Sequence, residues 1–177
     1  MHGNQQDPNE GAVMDFPRLV RTVPGAPWLP AGSTAEVWAG EDLDIPRPAV
    51  IVRLLLTRAP GEIFCVPTPR GPDLPTTVLG TVHRWQAGVA GLCRVHLGSE
   101  VATRCVGYVR NIVPEPDETY RLPVPDANVL VFTPRTEPPE PDGTLGAWVG
   151  RDEAPALLGQ RHWWPIACVA LGWTGQW

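Results

Sequence analysis

Hydrophobic and polar positions along the first half of the chain predict a strand pair followed by a helix. Residues 48–56, PAVIVRLLL, are nearly all apolar, which is typical of a β-strand buried on both faces. A turn sequence at 57–61 and a second apolar run at 62–67 follow, so the pair is predicted to form a hairpin. Over residues 82–97 apolar side chains recur at alternating steps of three and four, which predicts a helix ending at Gly98.

The rest of the chain is predicted to contain shorter elements joined by proline-rich loops. Residues 16–46 are irregular, apart from an edge strand expected at 33–39. Strands are predicted at 101–113, 128–133 and 144–150, with loops at 114–126 and 136–143. A short helix with Asp152 as its N-cap is predicted at 152–158, and a closing helix at 160–173. This mixture indicates a single α/β domain over residues 16–177, preceded by a mobile tail at 1–15.

The charge and composition narrow the classes of function. The chain of 177 residues carries a net charge of −5, and all 14 basic residues are arginine. Without lysine, Schiff-base chemistry and a P-loop are excluded. Duplex nucleic acid is not an expected partner, because proteins that bind it carry a basic face. No apolar run could span a bilayer, and residues 1–15 do not resemble a signal peptide, so a cytoplasmic protein is expected.

The cysteines indicate reduced thiols in the core. None of the four forms a C-x-x-C pair, and all four stand among apolar residues. A structural zinc site would require paired, closely spaced ligands. Buried free thiols are therefore predicted at Cys65, Cys93, Cys105 and Cys168.

The order of these segments resembles the Nudix hydrolase superfamily. The hairpin at 48–67 is followed by LPTTVL at 74–79, in the place of the family's L-P-G-G loop. VGYVR at 106–110 is similar to the strand after the catalytic helix, and Trp148-Val149 with residues 152–158 resembles the later signature. The likeness covers about residues 48–165. It implies an α/β/α sandwich with a mixed sheet, and a cleft for a nucleoside diphosphate derivative.

The family's metal-binding box is degenerate in this chain. The box is G-x5-E-x7-R-E-U-x-E-E-x-G-U, where U is apolar. With Thr77 at the first glycine, Gly98 falls on the last one, His83 on the first glutamate, and Val95 and His96 on the paired glutamates. Residues 74–99 contain no aspartate or glutamate in any register. Because Mg²⁺ prefers carboxylate oxygen, we expect no metal on the helix at 82–97 and no standard metal-dependent hydrolysis.

The resemblance nevertheless points to candidate site residues. His96 is the first candidate for an acid/base in a metal-free reaction, with the alternative that it is a half-buried core histidine. His83 is the second catalytic candidate, and it shares a helix face with Arg94, where the two could contact an anion or form a solvated polar face. Further ligand-binding residues are expected at Thr76, Thr77, Tyr108 and Arg110.

Three classes of function follow from these observations. The first is a pseudo-enzyme that binds a nucleotide-diphosphate-like or other small-molecule ligand. No cofactor is expected, and the protein could form a homodimer. The second is an enzyme, either a non-standard Nudix hydrolase that takes metal ligands from the acidic loops at 114–126 and 136–143, or a metal-free catalyst using His96 or His83. The third is an interaction protein that uses tryptophan and proline surfaces. The side chains of Trp163 and Trp164 are expected either to pack in the core or to stack on a ligand.

Overall fold

A computed structural model describes residues 16–80, 84–173 and 175. Nine strands and three helices lie in these ranges: β1 (Arg18–Pro24), β2 (Thr34–Ala39), β3 (Ala49–Leu54), β4 (Thr57–Arg58), β5 (Glu62–Cys65), β6 (Thr76–Val78), α1 (Trp85–Leu97), β7 (Thr103–Ile112), β8 (Asp126–Pro134), β9 (Ala147–Val149), α2 (Ala154–Leu158) and α3 (Trp164–Ala170).

The strands form two sheets. The larger has six strands in the order β1-β2-β7-β8-β3-β6, and the smaller has the order β4-β5-β9. The six-stranded sheet is mixed, because β3 runs parallel to β8 whereas the other neighbours pair antiparallel. Five of the six residues of β3 are buried, which confirms the strand predicted from the apolar run.

The helices pack on opposite faces of the large sheet. Val89, Leu92 and Cys93 of α1 join a core with residues of β3 and β8, and α3 packs against β1, β2 and β7 on the other side. Gly88 allows the approach of α1, since a Cβ there would lie 2.9 Å from Val52 Cγ2. The predicted α/β architecture, a mixed sheet sandwiched between helices, is therefore confirmed.

Two predictions about strand pairing are wrong. A hairpin is present, but its predicted first strand is wrong: β3 does not pair with β5, and β5 pairs instead with β4, with Thr57 opposite Ile63 and the N–H of Phe64 donating to the carbonyl of Leu56. The chain passes from the large sheet, where β3 ends at Leu54, to the small sheet, where β4 begins at Thr57, within a continuous apolar run. The segment predicted at 33–39 is β2, but it is not an edge, because the mostly exposed β1 pairs along its outer side.

The helix boundaries were partly predicted. α1 ends where expected, with Gly98 at φ 75° and its N–H donating to the carbonyl of Arg94. Asp152 is not an N-cap: Glu153 occupies that position in α2, and no side chain caps the helix. The closing helix is shorter than residues 160–173, because a turn precedes Trp164 and the helix ends at Ala170. Within the ranges given above, no helix has the length and hydrophobicity needed to cross a membrane.

Candidate functional site

The positions that match the family's glutamates on α1 lie partly in the hydrophobic core. Leu92 and His96 are buried, and the His96 ring lies 6.2 Å from the ring of Phe64. Phe64 in turn contacts Trp148 edge-on, with ring centroids 5.5 Å apart. Val95 is exposed on the outer side of the helix. Apolar packing therefore occupies the place where the resemblance would put catalytic carboxylates.

His96 has the environment of a core histidine. Burial lowers the pKa of its imidazole, and the carboxylate of Asp142 opposes this shift only in part. Its Nδ1 is buried and has no hydrogen-bond partner, and its side chain lines neither of the two cavities described below. The geometry favours the structural interpretation of His96, and an acid/base role stays a prediction.

The donor set does not fit the divalent metal that the family resemblance implies. α1 carries no carboxylate, and Mg²⁺ requires several oxygen ligands. Among the described residues, no group of three or more His, Cys, Asp or Glu side chains is placed to hold a metal ion. Asp142, in the loop between β8 and β9, adjoins His96 but accepts hydrogen bonds from the backbone N–H and hydroxyl of Thr144.

The other predicted residues do not converge on one site. Arg94 is exposed and forms an ion pair with Glu100, which favours the interpretation of this helix face as a solvated polar surface. His83 lies outside the described residues. Thr76 and Thr77 are in the short edge strand β6, and the hydroxyl of Thr76 donates to the carbonyl of Leu74.

Tyr108 and Arg110 lie on another part of the sheet, on β7. Tyr108 packs at the edge of the α1 core and stacks with Trp38, with ring centroids 6.3 Å apart, and burial raises the pKa of its phenol. Arg110 donates to Asp126 at 2.6 Å and lies 3.9 Å from Glu36. Because two carboxylates already lie beside its guanidinium, Arg110 is not available to bind a ligand anion.

A buried polar cluster around Asp73 was not predicted. Asp73 Oδ1 accepts hydrogen bonds from Arg53 Nη1 at 2.8 Å, Trp163 Nε1 at 2.7 Å and the N–H of Leu74 at 2.8 Å. Arg161 Nη1 lies 3.2 Å from the other carboxylate oxygen. The sequence signal for this cluster is Arg53, the one charged residue within the apolar run of residues 48–56.

The Asp73 cluster attaches a loop to the C-terminal region. Arg161 Nη2 donates to the carbonyls of Arg70 and Gly71 at 2.9 and 3.0 Å, and its Nε donates to the carbonyl of Pro72 at 3.1 Å. Arg53 Nη1 also donates to the hydroxyl of Thr76. Apart from Arg53 Nε, which is buried without a partner, the guanidinium groups are thus bound to protein acceptors and to Asp73, which is the arrangement of a structural cross-link.

His162 adjoins this cluster and is held neutral. Burial, with help from the positive charges of Arg53 and Arg161, lowers the pKa of His162 to about 3. Its Nε2 is buried without a hydrogen-bond partner, and its ring lies 5.5 Å from that of Trp28. Protonation of His162 would place a third cation beside the single carboxylate of Asp73.

One cavity lies between the β4–β5 hairpin, the end of β8 and the loop after it. Its volume is about 650 Å³. Proline rings form much of the wall, together with Leu55, Leu171 and Trp173. Its charged lining residues are Arg58, Arg104, Arg135, Glu137 and Glu140. The volume lies in the range of cavities that bind small molecules.

Two of the three arginines in this cavity are paired. Arg58 donates to Glu62 at 2.5 Å and to Glu140 at 3.1 Å, and its guanidinium lies 4.3 Å from the centre of the Trp148 ring. Arg135 forms an ion pair with Asp42 at 2.7 Å. Arg104 differs: its Nε is buried without a partner, and its side chain makes no hydrogen bond or ion pair within residues 16–80 and 84–173.

A second cavity of about 400 Å³ lies between the end of β5 and residues 143–147. Cys65 is on its wall, but burial raises the pKa of this thiol to about 12. Because the thiolate is the reactive form, Cys65 does not have the properties of a nucleophile. All four cysteines are free and buried, as predicted from their apolar surroundings.

Comparison with known proteins identifies no family. No protein-family model matches the chain, and no curated protein matches it. Among solved structures, the chain is similar to a variant of the Bacillus subtilis pyrophosphohydrolase BsRppH, with 12% sequence identity and a TM-score of 0.49. The alignment covers 81% of this chain and 93% of that chain. A similarity at this level does not identify a function.

Proposed function

We propose that this chain is a Nudix-like protein that binds a small-molecule ligand without standard metal-dependent hydrolysis. The ligand is a nucleotide-diphosphate-like compound or another small anion, and its site is the 650 Å³ cavity. The observation that carries the proposal is the unpaired guanidinium of Arg104 on the wall of that cavity. A half-buried arginine on a cavity wall whose side chain has no partner among the described residues is available to bind a ligand anion.

The absence of a carboxylate set supports binding over hydrolysis. In a metal-dependent reaction, the ion neutralises the charge that develops on the transferred phosphoryl group. Residues 74–99 offer no carboxylate for such an ion. The carboxylate of Glu140 on the cavity wall accepts hydrogen bonds from Arg58 and Trp148, so recruiting it to a metal would break existing contacts.

The activity arm of the test uses the whole chain with Mg²⁺ and a panel of dinucleotide polyphosphates, ADP-ribose and deoxynucleoside triphosphates. We expect little release of phosphate or nucleoside monophosphate. Turnover of about 1 s⁻¹ or more, in the ordinary range for enzymes, would contradict the proposal if it disappeared in the double variant Glu137→Gln, Glu140→Gln. That result would mean that the loop supplies a metal site.

The binding arm measures thermal stability in the presence of a chelator. A ligand that binds only the folded chain stabilises it by about 2.7 kcal/mol at 100 times its Kd. We expect at least one anionic member of the panel, or of a set of small organic acids, to raise the Tm. If no compound in either set raises the Tm, the proposed binding function is wrong.

A further inference from the structure

Building on the proposed binding function, we infer that the ligand of the 650 Å³ cavity is a small organic monocarboxylate. Its carboxylate would bind the guanidinium of Arg104, and its apolar body would lie along the wall of proline rings, Leu55 and Leu171. This assigns both an anchor residue and a ligand class to the cavity.

The position of Arg104 in the sheet leaves its side chain without a local partner. Arg104 on β7 lies opposite Thr133 on β8, but the hydroxyl of Thr133 already donates to the carbonyl of Leu55 at 2.9 Å. Its neighbour Arg135 takes the nearby acceptors, since Arg135 Nε donates to the carbonyl of Thr103 and its Nη2 bonds Asp42. Because Arg104 Nε is buried, an incoming carboxylate would bind the terminal Nη1 and Nη2 groups, to which it presents two acceptor oxygens in one plane.

The charges around the cavity favour a monoanion over a nucleotide polyphosphate. Arg58 and Arg135 are already paired with carboxylates, so Arg104 is the remaining cation of the described lining. Glu140 is paired with Arg58, whereas Glu137 is unpaired among the described residues and places a negative charge on the same wall. A ligand with two or more negative charges would meet one uncommitted guanidinium and repulsion from Glu137, whereas a carboxylate carries a single charge.

The remaining wall favours an apolar body. Besides Leu55 and Leu171, the cavity is lined by Trp173 and by five prolines: Pro60, Pro134, Pro138, Pro139 and Pro141. Proline rings are rigid, so they present apolar surface that loses little conformational entropy when a ligand is bound. A hydrocarbon chain or ring attached to the carboxylate would cover this surface and exclude water from the Arg104 contact.

The test is calorimetric titration of the full chain with benzoate and hexanoate, and with the matched neutral amides benzamide and hexanamide. ADP and pyrophosphate are titrated in parallel. We expect a carboxylate to bind at least tenfold more tightly than its amide, and Arg104→Gln to weaken carboxylate binding at least tenfold. Arg18→Gln, an exposed arginine on the edge strand β1, is the matched control and should leave the affinity unchanged.

A second variant covers the case in which Arg104→Gln does not fold. Arg104→Lys keeps the charge but not the planar fork, so we expect it to bind carboxylate several-fold more weakly than the wild type. Equal affinity for carboxylate and amide, or affinity that Arg104→Gln and Arg104→Lys leave unchanged, would overturn the inference.

The outcomes separate the ligand class from the binding function. If ADP or pyrophosphate binds more tightly than both carboxylates and depends on Arg104, the monocarboxylate assignment is wrong while the proposed binding function stands. If none of the six compounds binds, the monocarboxylate assignment is also wrong. The binding function itself is then decided by the wider thermal-stability panel described above.

Discussion

Two arginine-containing regions of this molecule differ in whether protein groups pair with their guanidinium groups. In the Asp73 cluster, Arg53 and Arg161 share one buried carboxylate, and Arg161 also donates to three backbone carbonyls. In the 650 Å³ cavity, Arg104 has no protein partner among the described residues, although it too has a buried N–H. The same side chain therefore acts as a cross-link in one region and is available to a ligand in the other.

This difference teaches how to separate structural from functional arginines. A guanidinium that is ion-paired with a protein carboxylate, as in Arg53 and Arg161, contributes to stability, and removing its partner leaves an uncompensated buried charge. A guanidinium without acceptors contributes little to the stability of the unliganded chain, so its presence requires another explanation. The comparison can be tested by substitutions on both sides.

The largest expected effect is that of Asp73→Ala. It removes the acceptor of Arg53, Trp163 and the N–H of Leu74, so we expect the free energy of unfolding to fall by about 3–5 kcal/mol. Denaturant unfolding followed by circular dichroism measures it. Asp42→Ala, which removes the exposed partner of Arg135, is the control and should cost less than about 1 kcal/mol. A loss below about 1 kcal/mol for Asp73→Ala would show that the cluster is not a cross-link.

The second prediction is a pH dependence arising at His162. Burial and the neighbouring arginines lower the pKa of His162 from the ordinary 6.5 to about 3 in the folded chain, so the unfolded chain takes up a proton that the folded chain does not. The stability that neutral His162 contributes is therefore present above pH 6.5 and lost as the pH falls toward 3, by on the order of 2–4 kcal/mol.

The measurement for His162 is the free energy of unfolding from pH 7.5 to pH 3.5, in the wild type and in His162→Gln. Carboxylates titrate in both proteins, so the quantity compared is the difference between the two curves. We expect the wild type to lose more stability than the variant below pH 6.5. Parallel curves would mean that His162 is protonated in the folded chain and that the cluster accepts a third cation.

The third prediction concerns the ion pair between Arg58 and Glu140 on the wall of the 650 Å³ cavity. Glu140→Ala removes the acceptor of Arg58 and Trp148, but the glutamate is mostly exposed, so we expect a loss of about 0.5–1 kcal/mol in unfolding free energy. The test is thermal unfolding at low and high salt, because an exposed ion pair is screened. An effect as large as that of Asp73→Ala would mean that the two regions do not differ in the way described.

The smallest expected effect is that of Arg104→Gln on the unliganded chain. Because the side chain of Arg104 makes no hydrogen bond or ion pair with the described residues, we expect the free energy of unfolding to change by no more than about 0.5 kcal/mol. Arg53→Gln, measured alongside, should lose about 3 kcal/mol, since it leaves Asp73 with one cation fewer. Equal losses in the two variants would remove the distinction between a structural and a ligand-binding arginine.

Elements with strong local patterns were predicted well from the sequence. The apolar run of residues 48–56 contains β3, and the spacing of apolar residues with Gly98 identified α1 and its end. Strand β1 was missed because its residues are mostly exposed, so pairing with β2 rather than burial holds it. The first strand of the hairpin was wrong because a run of three leucines, Leu54 to Leu56, does not show where the chain passes from one sheet to the other.

The sequence by itself determined the chemistry that α1 lacks: no carboxylate can appear on a helix whose residues include none. It also determined the fold class, because strand and helix periodicity are local properties. Only the tertiary structure decided which charges meet. Arg53 and Asp73 are 20 residues apart, Trp163 is 90 residues from Asp73, and Arg104 lies in a cavity whose other walls come from distant segments. Whether an arginine is paired depends on groups brought together by folding, and the local sequence around the arginine does not identify those groups.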